Sequence, residues 1–244
     1  MRLNSKNISS RSKNWLKIWN RKGKNLISKK TRDILSANGH DSPLGKISKK
    51  KWIEYLNNKV KKIKIKKNSN ILEYGCGSGA FLSHFYNNKY NLYGIDYSKN
   101  QIEKAKKFFP NIHFKVGEIS EIDKFKIKFD FIFSNVVFHY FDNYSYANNL
   151  IKKMLSNLNS NGTIYITNIP DLNKKNLYFK EIINNIGLKE YNKRYNKNTH
   201  LFYDKLFFKQ IAKKNKLNVK IFDESLTSSK NYKFRFNVIF EKTK

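Results

Sequence analysis

The chain has 244 residues, a length that suits one α/β domain of the larger kind. It carries 50 Lys and Arg residues against 18 Asp and Glu residues, which gives a formal net charge of +32. A single cysteine, Cys76, excludes an internal disulfide and a cysteine-based metal cage, so no metal is expected. The N-terminus shows no apolar secretory signal, and the most apolar run, 129–141, is too short to cross a bilayer, so we expect a cytoplasmic protein.

The excess of basic residues has two interpretations. A basic surface attracts nucleic acid and other anions, so an RNA-modifying or RNA-binding protein is one alternative. However, 44 of the 50 basic residues are Lys and 6 are Arg, whereas the recognition of phosphates and bases favours Arg. The lysines are also spread over the whole chain, which is typical of compositional bias. We therefore expect a small-molecule substrate, anionic ones included, and regard nucleic acid as the less favoured partner.

Residues 1–60 are predicted to form a helical cap or lid. A first helix is expected within 15–25, and Gly23 can end it. The large apolar side chains that share one face of this helix are Trp15, Leu16, Ile18 and Trp19. Because large aromatic side chains exclude water well, we expect this helix either to close over a binding site or to pack permanently on the core.

A turn-rich stretch, 39–52, separates this helix from a second one. Ile53, Leu56 and Val60 recur there at helical spacing, which predicts that they form the buried face. Neither a long linker nor a repeat follows, so the cap is predicted to belong to the same domain as residues 61–244.

From residue 70 onward, strand patterns alternate with helix patterns. The predicted strands are Asn70–Tyr74, Asn91–Ile95, Ile112–Val116, Phe129–Ser134 and Thr163–Asn168. The predicted helices are Ala80–Asn88, Lys99–Phe108 and Tyr144–Leu158. Such alternation indicates a doubly wound, mostly parallel sheet with helices on both faces.

The end of the chain breaks this alternation. Residues 170–203 are predicted to be an insertion on the substrate side, and a helix is expected near Asp204–Lys214. The stretches "LNVKIFDES" and "YKFRFNVIFEK" then read as two strands without a helix between them, which should pair antiparallel. We therefore predict a seven-stranded α/β sheet that ends in an antiparallel hairpin.

The stretch "ILEYGCGSGAF", residues 71–81, places three glycines directly after a strand. A strand, a glycine loop and a helix together form a cofactor crevice at the carboxyl end of a parallel sheet. Asp96 ends the next strand 21 residues after Gly75, a spacing at which an acidic side chain reaches a ribose diol. These features fit both a nicotinamide cofactor and S-adenosylmethionine.

Three details favour S-adenosylmethionine. Glu73 precedes the first glycine, where a carboxylate attracts a cationic amino group and repels a pyrophosphate. Glu118 follows the third strand, where the amino group of an adenine needs an acceptor. The terminal hairpin is unusual for a dinucleotide-binding domain.

The sequence here resembles the class I, Rossmann-like S-adenosylmethionine-dependent methyltransferases. "ILEYGCGSGAFL" is similar to their glycine motif, "GIDYS" to their ribose-binding motif, "VGEI" to their adenine motif and "FDFIFSNVVFHYF" to their fourth strand. The resemblance implies that Gly75, Gly77 and Gly79 lie under the methionine and ribose of the donor. It places the other cofactor contacts at Glu73, Asp96, Tyr97, Glu118, Ile119 and Asn135.

The acceptor side is less defined by the sequence. The Asn/Asp-Pro-Pro-aromatic motif of nucleobase amino-methylating relatives is missing from "SNVVFHYF", and Cys76 is badly placed for carbon-5 pyrimidine chemistry. His139 follows the fourth strand by one turn and is the candidate catalytic base, with a packed aromatic cluster as the alternative. The candidate substrate contacts are Trp19, Tyr140, Asp171, His200, Tyr203 and Arg235.

A second resemblance concerns the segments around this core, namely "NWLKIWNRKG", "GHDSPLG", "NIPDLNKK" and "YKFRFNVI". They are similar to a bacterial group of small-molecule methyltransferases associated with the tailoring of surface polysaccharides. This resemblance implies O-methylation of a sugar, a phosphate ester or a related polar metabolite.

Overall fold

The computed structural model of the chain describes residues 10–41, 47–86, 89–195, 199–224 and 232–242. The α-helices are α1 (Ser10–Asn25), α2 (Thr31–Ala37), α3 (Lys49–Val60), α4 (Lys99–Phe108), α5 (Tyr144–Ser156), α6 (Lys175–Ile186), α7 (Leu188–Tyr195) and α8 (Lys205–Lys214). The strands are β1 (Asn70–Tyr74), β2 (Asn91–Asp96), β3 (His113–Val116), β4 (Phe129–Asn135), β5 (Leu158–Pro170), β6 (Leu217–Asp223) and β7 (Arg235–Lys242). Short 3₁₀ turns connect several of these elements.

The strands form one seven-stranded sheet in the order β3-β2-β1-β4-β5-β7-β6 within the described ranges. The first five strands in this order are parallel, while β7 is antiparallel to both β5 and β6. The predicted fold class is therefore confirmed, including the terminal hairpin. Because the chain order reverses between β1 and β4, the carboxyl ends of these strands open a crevice there.

Two apolar clusters cover the opposite faces of this sheet. Successive side chains of a strand point to opposite faces, so Leu72 joins the cluster under α5 and α8 while Ile71 joins the one under α3 and α4. A third, smaller cluster around Tyr178 and Ile182 of α6 lies outside these two. The sheet is thus buried on both faces, as a parallel sheet requires.

The predicted helix Ala80–Asn88 is wrong for most of its length. The described part of this segment forms a 3₁₀ turn over Leu82–Phe85, and residues 87 and 88 lie outside the described ranges. Phe81, Leu82 and Phe85 are all buried against the sheet. The apolar pattern therefore spans a single turn, which is too short to propagate a regular helix.

The predicted buried face of α3 is also partly wrong. Ile53 is 41% exposed, whereas Trp52, Tyr55 and Leu56 are buried. Lys59 belongs to the same face, at 2% exposure, because its ammonium pairs with the buried carboxylate of Glu224. Because a lysine lies on the inner face, the spacing of apolar residues alone does not reveal which face of α3 is buried.

Gly23 does not end α1, which continues to Asn25. A Cβ on Gly23 would lie 2.6 Å from the backbone nitrogen of Gln101 in α4, so the glycine permits close contact between the two helices. Asn20 adds hydrogen bonds at this contact, because its Oδ1 accepts from Ser98 Oγ at 2.8 Å. The role of Gly23 is therefore packing, and the sequence prediction of a helix end was wrong.

We expect the substitution Gly23→Ala to destabilise the protein by about 1–3 kcal/mol, although Ala is the better helix former. The added methyl group would overlap the backbone of α4. Lys24→Ala, at the next and exposed position of α1, is the matched control and should leave stability within about 0.5 kcal/mol. Urea unfolding of the two variants measures the difference, and equal stabilities would contradict a tight α1–α4 contact.

Candidate functional site

A cavity of about 300 Å³ lies at the carboxyl ends of β1, β2 and β4. Helix α1 and the segment after α2 form its roof, and the first turn after β4 forms one wall. Its lining residues are Ser12, Trp15, Leu16, Trp19, Asn38, His40, Glu73, Tyr74, Gly75, Gly77, Ala80, Phe81, Asp96, Tyr97, Gln101, Gly117, Glu118, Asn135, Val136, Val137, Tyr140, Phe141, Asp142 and Tyr146. The predicted glycine loop therefore lines a cavity.

Gly75 begins the sharp turn at the end of β1. Its φ of +73° is a left-handed conformation, and a Cβ there would overlap the side chain of Val137. Its backbone N–H donates to the carbonyl of Ile95 at 2.8 Å, which ties the turn to β2. The loop can thus bring its backbone close to a ligand.

Gly77 also lines the cavity, whereas Gly79 does not. Gly79 packs against the rings of Phe109 and Phe114, which lie behind the loop. Cys76 is fully buried, and burial raises the pKa of its thiol well above the usual range. The thiol is therefore protonated and packed rather than reactive.

Asn38, which follows α2, holds the glycine loop from the cap. Its Nδ2 donates to the carbonyl of Cys76 at 3.1 Å, and its Oδ1 accepts from the Ser78 hydroxyl at 2.5 Å and the Ser78 backbone at 3.2 Å. The sequence analysis missed this residue because nothing links position 38 to position 76 before the fold is known. In the sequence, Asn38 is marked only as part of the Asn38-Gly39 pair, which predicts a turn.

Asp96 lies at the carboxyl end of β2, as predicted, and faces the cavity. Its two carboxylate oxygens accept from the backbone N–H groups of Gly77 at 2.9 Å and Ser98 at 2.8 Å. Burial raises the pKa of Asp96 to about 6, against the effect of these two donors. The side chain is thus fixed in position and still able to accept hydroxyl hydrogen bonds from a diol.

Glu73 lies at the floor of the cavity and is 2% exposed. Burial raises the pKa of Glu73 well above its usual range, the nearby Asp96 carboxylate raises it further, and the backbone N–H of Leu82 opposes them. Its Oε2 has no hydrogen-bond partner in the described part of the chain. Since an unpaired buried carboxylate is costly, a cationic group bound in the cavity would stabilise it. The residue therefore fits the amino group of S-adenosylmethionine.

Tyr97 and Glu118 lie at the end of the cavity next to β2 and β3. Tyr146 donates a hydrogen bond to Glu118 at 3.2 Å, which fixes the carboxylate. Burial raises the pKa of Tyr97, so its phenol stays protonated. Ile119 begins a 3₁₀ turn directly after Glu118, and its side chain lies outside the described part of the structure.

Asn135 ends β4 and lies on the cavity wall. Its Oδ1 accepts from the Tyr55 hydroxyl and the Thr167 hydroxyl, both at 2.6 Å, so the side chain is held from within the core. The next residue, Val136, has a φ of +60°, which is strained for a β-branched side chain. Strain of about 1–3 kcal/mol at a cavity wall is typical of a functional turn.

One part of the cavity wall is aromatic. The ring centroids of Trp15 and Tyr140 lie 4.6 Å apart, and those of Trp19 and Tyr140 lie 5.3 Å apart. Trp15 also stacks on Trp19 at 6.5 Å. Of the predicted substrate contacts, Trp19 and Tyr140 therefore line the cavity.

His139, His200 and Arg235 lie behind this aromatic wall and do not line the cavity. The ring of His139 is 3.8 Å from that of Tyr140 and 4.6 Å from that of His200, between centroids. Arg235 Nη1 lies 3.4 Å from His139 Nδ1 and donates to the carbonyl of Asn168 at 2.8 Å. Because a guanidinium only donates, a hydrogen bond between these two atoms requires Nδ1 to be the acceptor.

Asp171 and Tyr203 are buried further from the cavity and pair with each other across an isolated parallel bridge. Asp171 caps the turn that follows β5 by accepting from Asn173 N at 3.0 Å, and it lies 3.4 Å from the ammonium of Lys205. The Tyr203 hydroxyl donates to the carbonyl of Phe138 at 2.9 Å. In the described ranges, no residue of 170–203 lines the cavity.

His40 is a cavity residue that the sequence analysis missed. It is half-buried, and its ring packs at a tilt of 55° against Trp52 with 4.6 Å between centroids. Burial lowers the pKa of His40 to about 4; the Asp41 carboxylate opposes this effect, while Lys22 and Arg235 add to it. The imidazole is therefore neutral near pH 7.

The charges that line the cavity have the opposite sign to the charge of the chain. Four carboxylate side chains, Glu73, Asp96, Glu118 and Asp142, face it, and no Lys or Arg is among the described lining residues. In the described ranges, no group of three or more His, Cys, Asp or Glu side chains could hold a metal ion. Likewise, none of the helices described there has the length and apolarity needed to span a membrane.

The profile of one protein family, described as a methyltransferase domain, matches residues 65–219. A curated relative, malonyl-[acyl-carrier protein] O-methyltransferase 1 of Ilyobacter polytropus, is 40% identical over 84 residues. That match covers 32% of this chain and 30% of the relative, so the similarity spans less than a third of either protein.

Solved structures show the same fold at low sequence identity. The plantazolicin methyltransferase BpumL, in complex with S-adenosylhomocysteine, has a TM-score of 0.61 and 17% identity, with 96% of this chain and 99% of BpumL covered. The magnesium protoporphyrin IX methyltransferase of Synechocystis, with bound S-adenosylmethionine, has a TM-score of 0.59 and 9% identity, with 97% and 99% covered.

We expect binding of S-adenosylhomocysteine, which carries the same amino group and ribose as the methyl donor, to release protons near pH 6. A bound ammonium and diol favour the ionised carboxylates, so they lower the raised pKa values of Glu73 and Asp96. Affinity should therefore rise from pH 5 to pH 7. Calorimetry in two buffers of different ionisation enthalpy measures the proton count.

Glu73→Gln should reduce the proton release and weaken binding roughly 10- to 100-fold, the loss of a hydrogen bond between charged groups. Glu103→Gln, an exposed carboxylate of α4 outside the cavity, is the control and should change neither quantity. Affinity that is independent of pH in the wild type would contradict a role for the buried carboxylates.

Proposed function

The chain belongs to the methyltransferase-domain family and is an S-adenosylmethionine-dependent methyltransferase, and we propose that it methylates a hydroxyl group of a small, uncharged acceptor. In this proposal Glu73 binds the amino group of the donor, with Gly75, Gly77 and the backbone of Asn135 beside it. Asp96 accepts from the ribose hydroxyls, and Tyr97, Glu118 and Ile119 surround the adenine. The unpaired Oε2 of Glu73 supports this orientation of the donor most directly.

The charge of the cavity wall supports an uncharged acceptor. Three of its four carboxylates are assigned to the donor, Asp142 remains, and no described Lys or Arg lines it, so an anionic group would find no counter-charge among the described lining residues. Arg235, which the sequence suggested as a contact for an anion, instead donates to a backbone carbonyl behind the wall. Of the acceptors that the sequence suggested, a neutral hydroxyl compound such as a sugar is therefore favoured over a phosphate ester.

The donor supplies a methyl group on a sulfonium, and transfer leaves the electron pair of the methyl–sulfur bond on sulfur. The protein therefore has to align the acceptor, exclude water and remove one proton. Trp15, Trp19 and Tyr140 provide a water-excluding wall at the aromatic end. In this proposal His139, His200 and Arg235 position Tyr140 from behind, and Asp171 and Tyr203 stabilise the turns beneath them.

The roof of the cavity argues against an RNA acceptor. Helix α1 lies over the cavity and packs on α4 through Gly23 and Asn20, and Lys22 of α1 forms an ion pair with Asp41 at 2.7 Å. A nucleotide within a polymer would have to pass this roof with its charged backbone. A free small molecule would not.

We expect labelled methyl groups from S-adenosylmethionine to appear in the small-molecule fraction of a cell extract, and ribonuclease treatment should not change the yield. A defined panel of neutral hydroxyl compounds and their phosphate esters then tests the charge argument, with the neutral compounds methylated faster. Asp96→Asn should reduce transfer to every acceptor, since it acts on the donor. Label confined to RNA, or faster transfer to the phosphate esters, would overturn the proposed acceptor class.

A further inference from the structure

We propose that the aromatic end of the cavity is a binding subsite for a phenol-type acceptor, a flat ring with one hydroxyl, and that His40 and Trp15 are its two polar contacts. The proposal rests on the proposed function and narrows its substrate class. It also replaces His139 by His40 as the group that accepts the proton of the hydroxyl. We refer to the walls formed by Trp15, Trp19, His40 and Tyr140 as the aromatic subsite.

Trp15 contributes an unsatisfied donor to the aromatic subsite. The residue is 8% exposed and lines the cavity, and its Nε1–H has no hydrogen-bond partner in the described part of the chain. A buried indole N–H normally finds an acceptor. The acceptor expected here is an oxygen of a bound ligand.

His40 contributes the acceptor in this proposal. Its ring lines the cavity and packs at a tilt of 55° against Trp52. Because the imidazole is neutral near pH 7, one ring nitrogen carries a lone pair that can accept a hydrogen bond. The groups whose charges act on it are Asp41, Lys22 and Arg235.

A hydroxyl group matches this pair of contacts, because it donates one hydrogen bond and accepts others. An ammonium group has no lone pair and would leave Trp15 Nε1–H unsatisfied. A phosphate has no proton for His40 near pH 7 and would face the carboxylates of the cavity. The two polar contacts therefore select a neutral hydroxyl compound over a cation or an anion.

The surrounding wall selects a flat ring over a sugar. Trp15, Trp19 and Tyr140 present ring faces and edges that stack well against another aromatic ring. A sugar carries several hydroxyls that each need a partner when buried, whereas the polar atoms of the aromatic subsite are the indole N–H groups, the Tyr140 hydroxyl and the His40 ring. A ring with one hydroxyl buries its apolar atoms and can bond to both Trp15 Nε1–H and the His40 ring.

The proposed methyl transfer needs only the donor, the acceptor hydroxyl and the ring of His40. The hydroxyl oxygen forms a bond to the methyl carbon of the donor, the methyl–sulfur bond breaks with its electron pair left on sulfur, and the hydroxyl proton passes to the free ring nitrogen of His40. A hydroxyl that is gaining a methyl group becomes a strong acid, so a weakly basic imidazole is sufficient to take its proton. Solvent then receives that proton when the products leave.

The experiment measures binding by calorimetry, with the full chain and saturating S-adenosylhomocysteine. The probes are phenol, anisole, methyl glucoside, phenyl phosphate and tetramethylammonium. Anisole has the ring and an oxygen acceptor but cannot donate to His40, so its comparison with phenol isolates that contact in the unaltered protein. We expect phenol to bind at least 5-fold more tightly than anisole, and the other three probes to bind more weakly than phenol.

Variants then assign the contacts. His40→Phe keeps an aromatic ring against Trp52 and should abolish the preference for phenol over anisole. His113→Phe is the matched control, because His113 is exposed, stacks on Tyr93 and lies outside the cavity; it should keep the preference. Trp15→Phe removes the indole N–H and should weaken phenol and anisole alike, by about 5-fold.

The outcomes separate this inference from the proposed function. A wild-type protein that binds phenol no better than anisole, or binds methyl glucoside, phenyl phosphate or tetramethylammonium more tightly, would overturn the subsite as described. Retention of the preference by His40→Phe would exclude His40 as the contact. The phenol titration is repeated without S-adenosylhomocysteine. If S-adenosylhomocysteine does not bind, the proposed function is refuted, and the affinity of the aromatic subsite for phenol is still measured by this second titration.

Discussion

The burial of the Glu73 carboxylate at the end of β1 constrains the whole site. Ionising a carboxyl group at 2% exposure with one unpaired oxygen costs free energy, which raises its pKa, and a bound cationic group reduces that cost. The strand that carries Glu73 must therefore end where a ligand can reach it. The left-handed turn at Gly75 and the strained Val136 both serve that geometry, since they bring backbone from two neighbouring strands to the same point.

The N-terminal cap covers the cavity and also contributes hydrogen bonds to the segments that form it. Asn38 bonds to the backbone and side chains of the glycine loop, and Asn20 bonds to Ser98 at the start of α4. The cap and the segments that follow β1 and β2 are thus connected directly. A ligand that orders the loop stabilises the position of the cap as well, which couples occupancy of one end of the cavity to the shape of the other.

The sequence predicted the parts of the fold and site that depend on local patterns. The alternation of strands and helices, the closing hairpin, the glycine turn, Glu73 and Asp96 all follow from spacing within short segments. Asn38, His40 and the buried Lys59 were missed because their roles come from contacts with residues far away in the sequence. Gly23 was misread for the same reason, since a glycine that ends a helix and one that admits a neighbouring helix look identical before the neighbour is placed.

The contrast between the surface and the cavity decides which charges matter for substrate choice. The chain has a formal net charge of +32, yet the described lining of the cavity contains four carboxylates and no Lys or Arg. Surface charges are screened by salt over about 8 Å at physiological ionic strength, whereas groups in a water-excluded cavity act at a lower effective dielectric. The surface lysines therefore influence solubility and the rate of encounter. Under the proposed function, the few desolvated groups that touch the acceptor select it, and the lack of a described Lys or Arg among them favours a neutral molecule in spite of the basic surface.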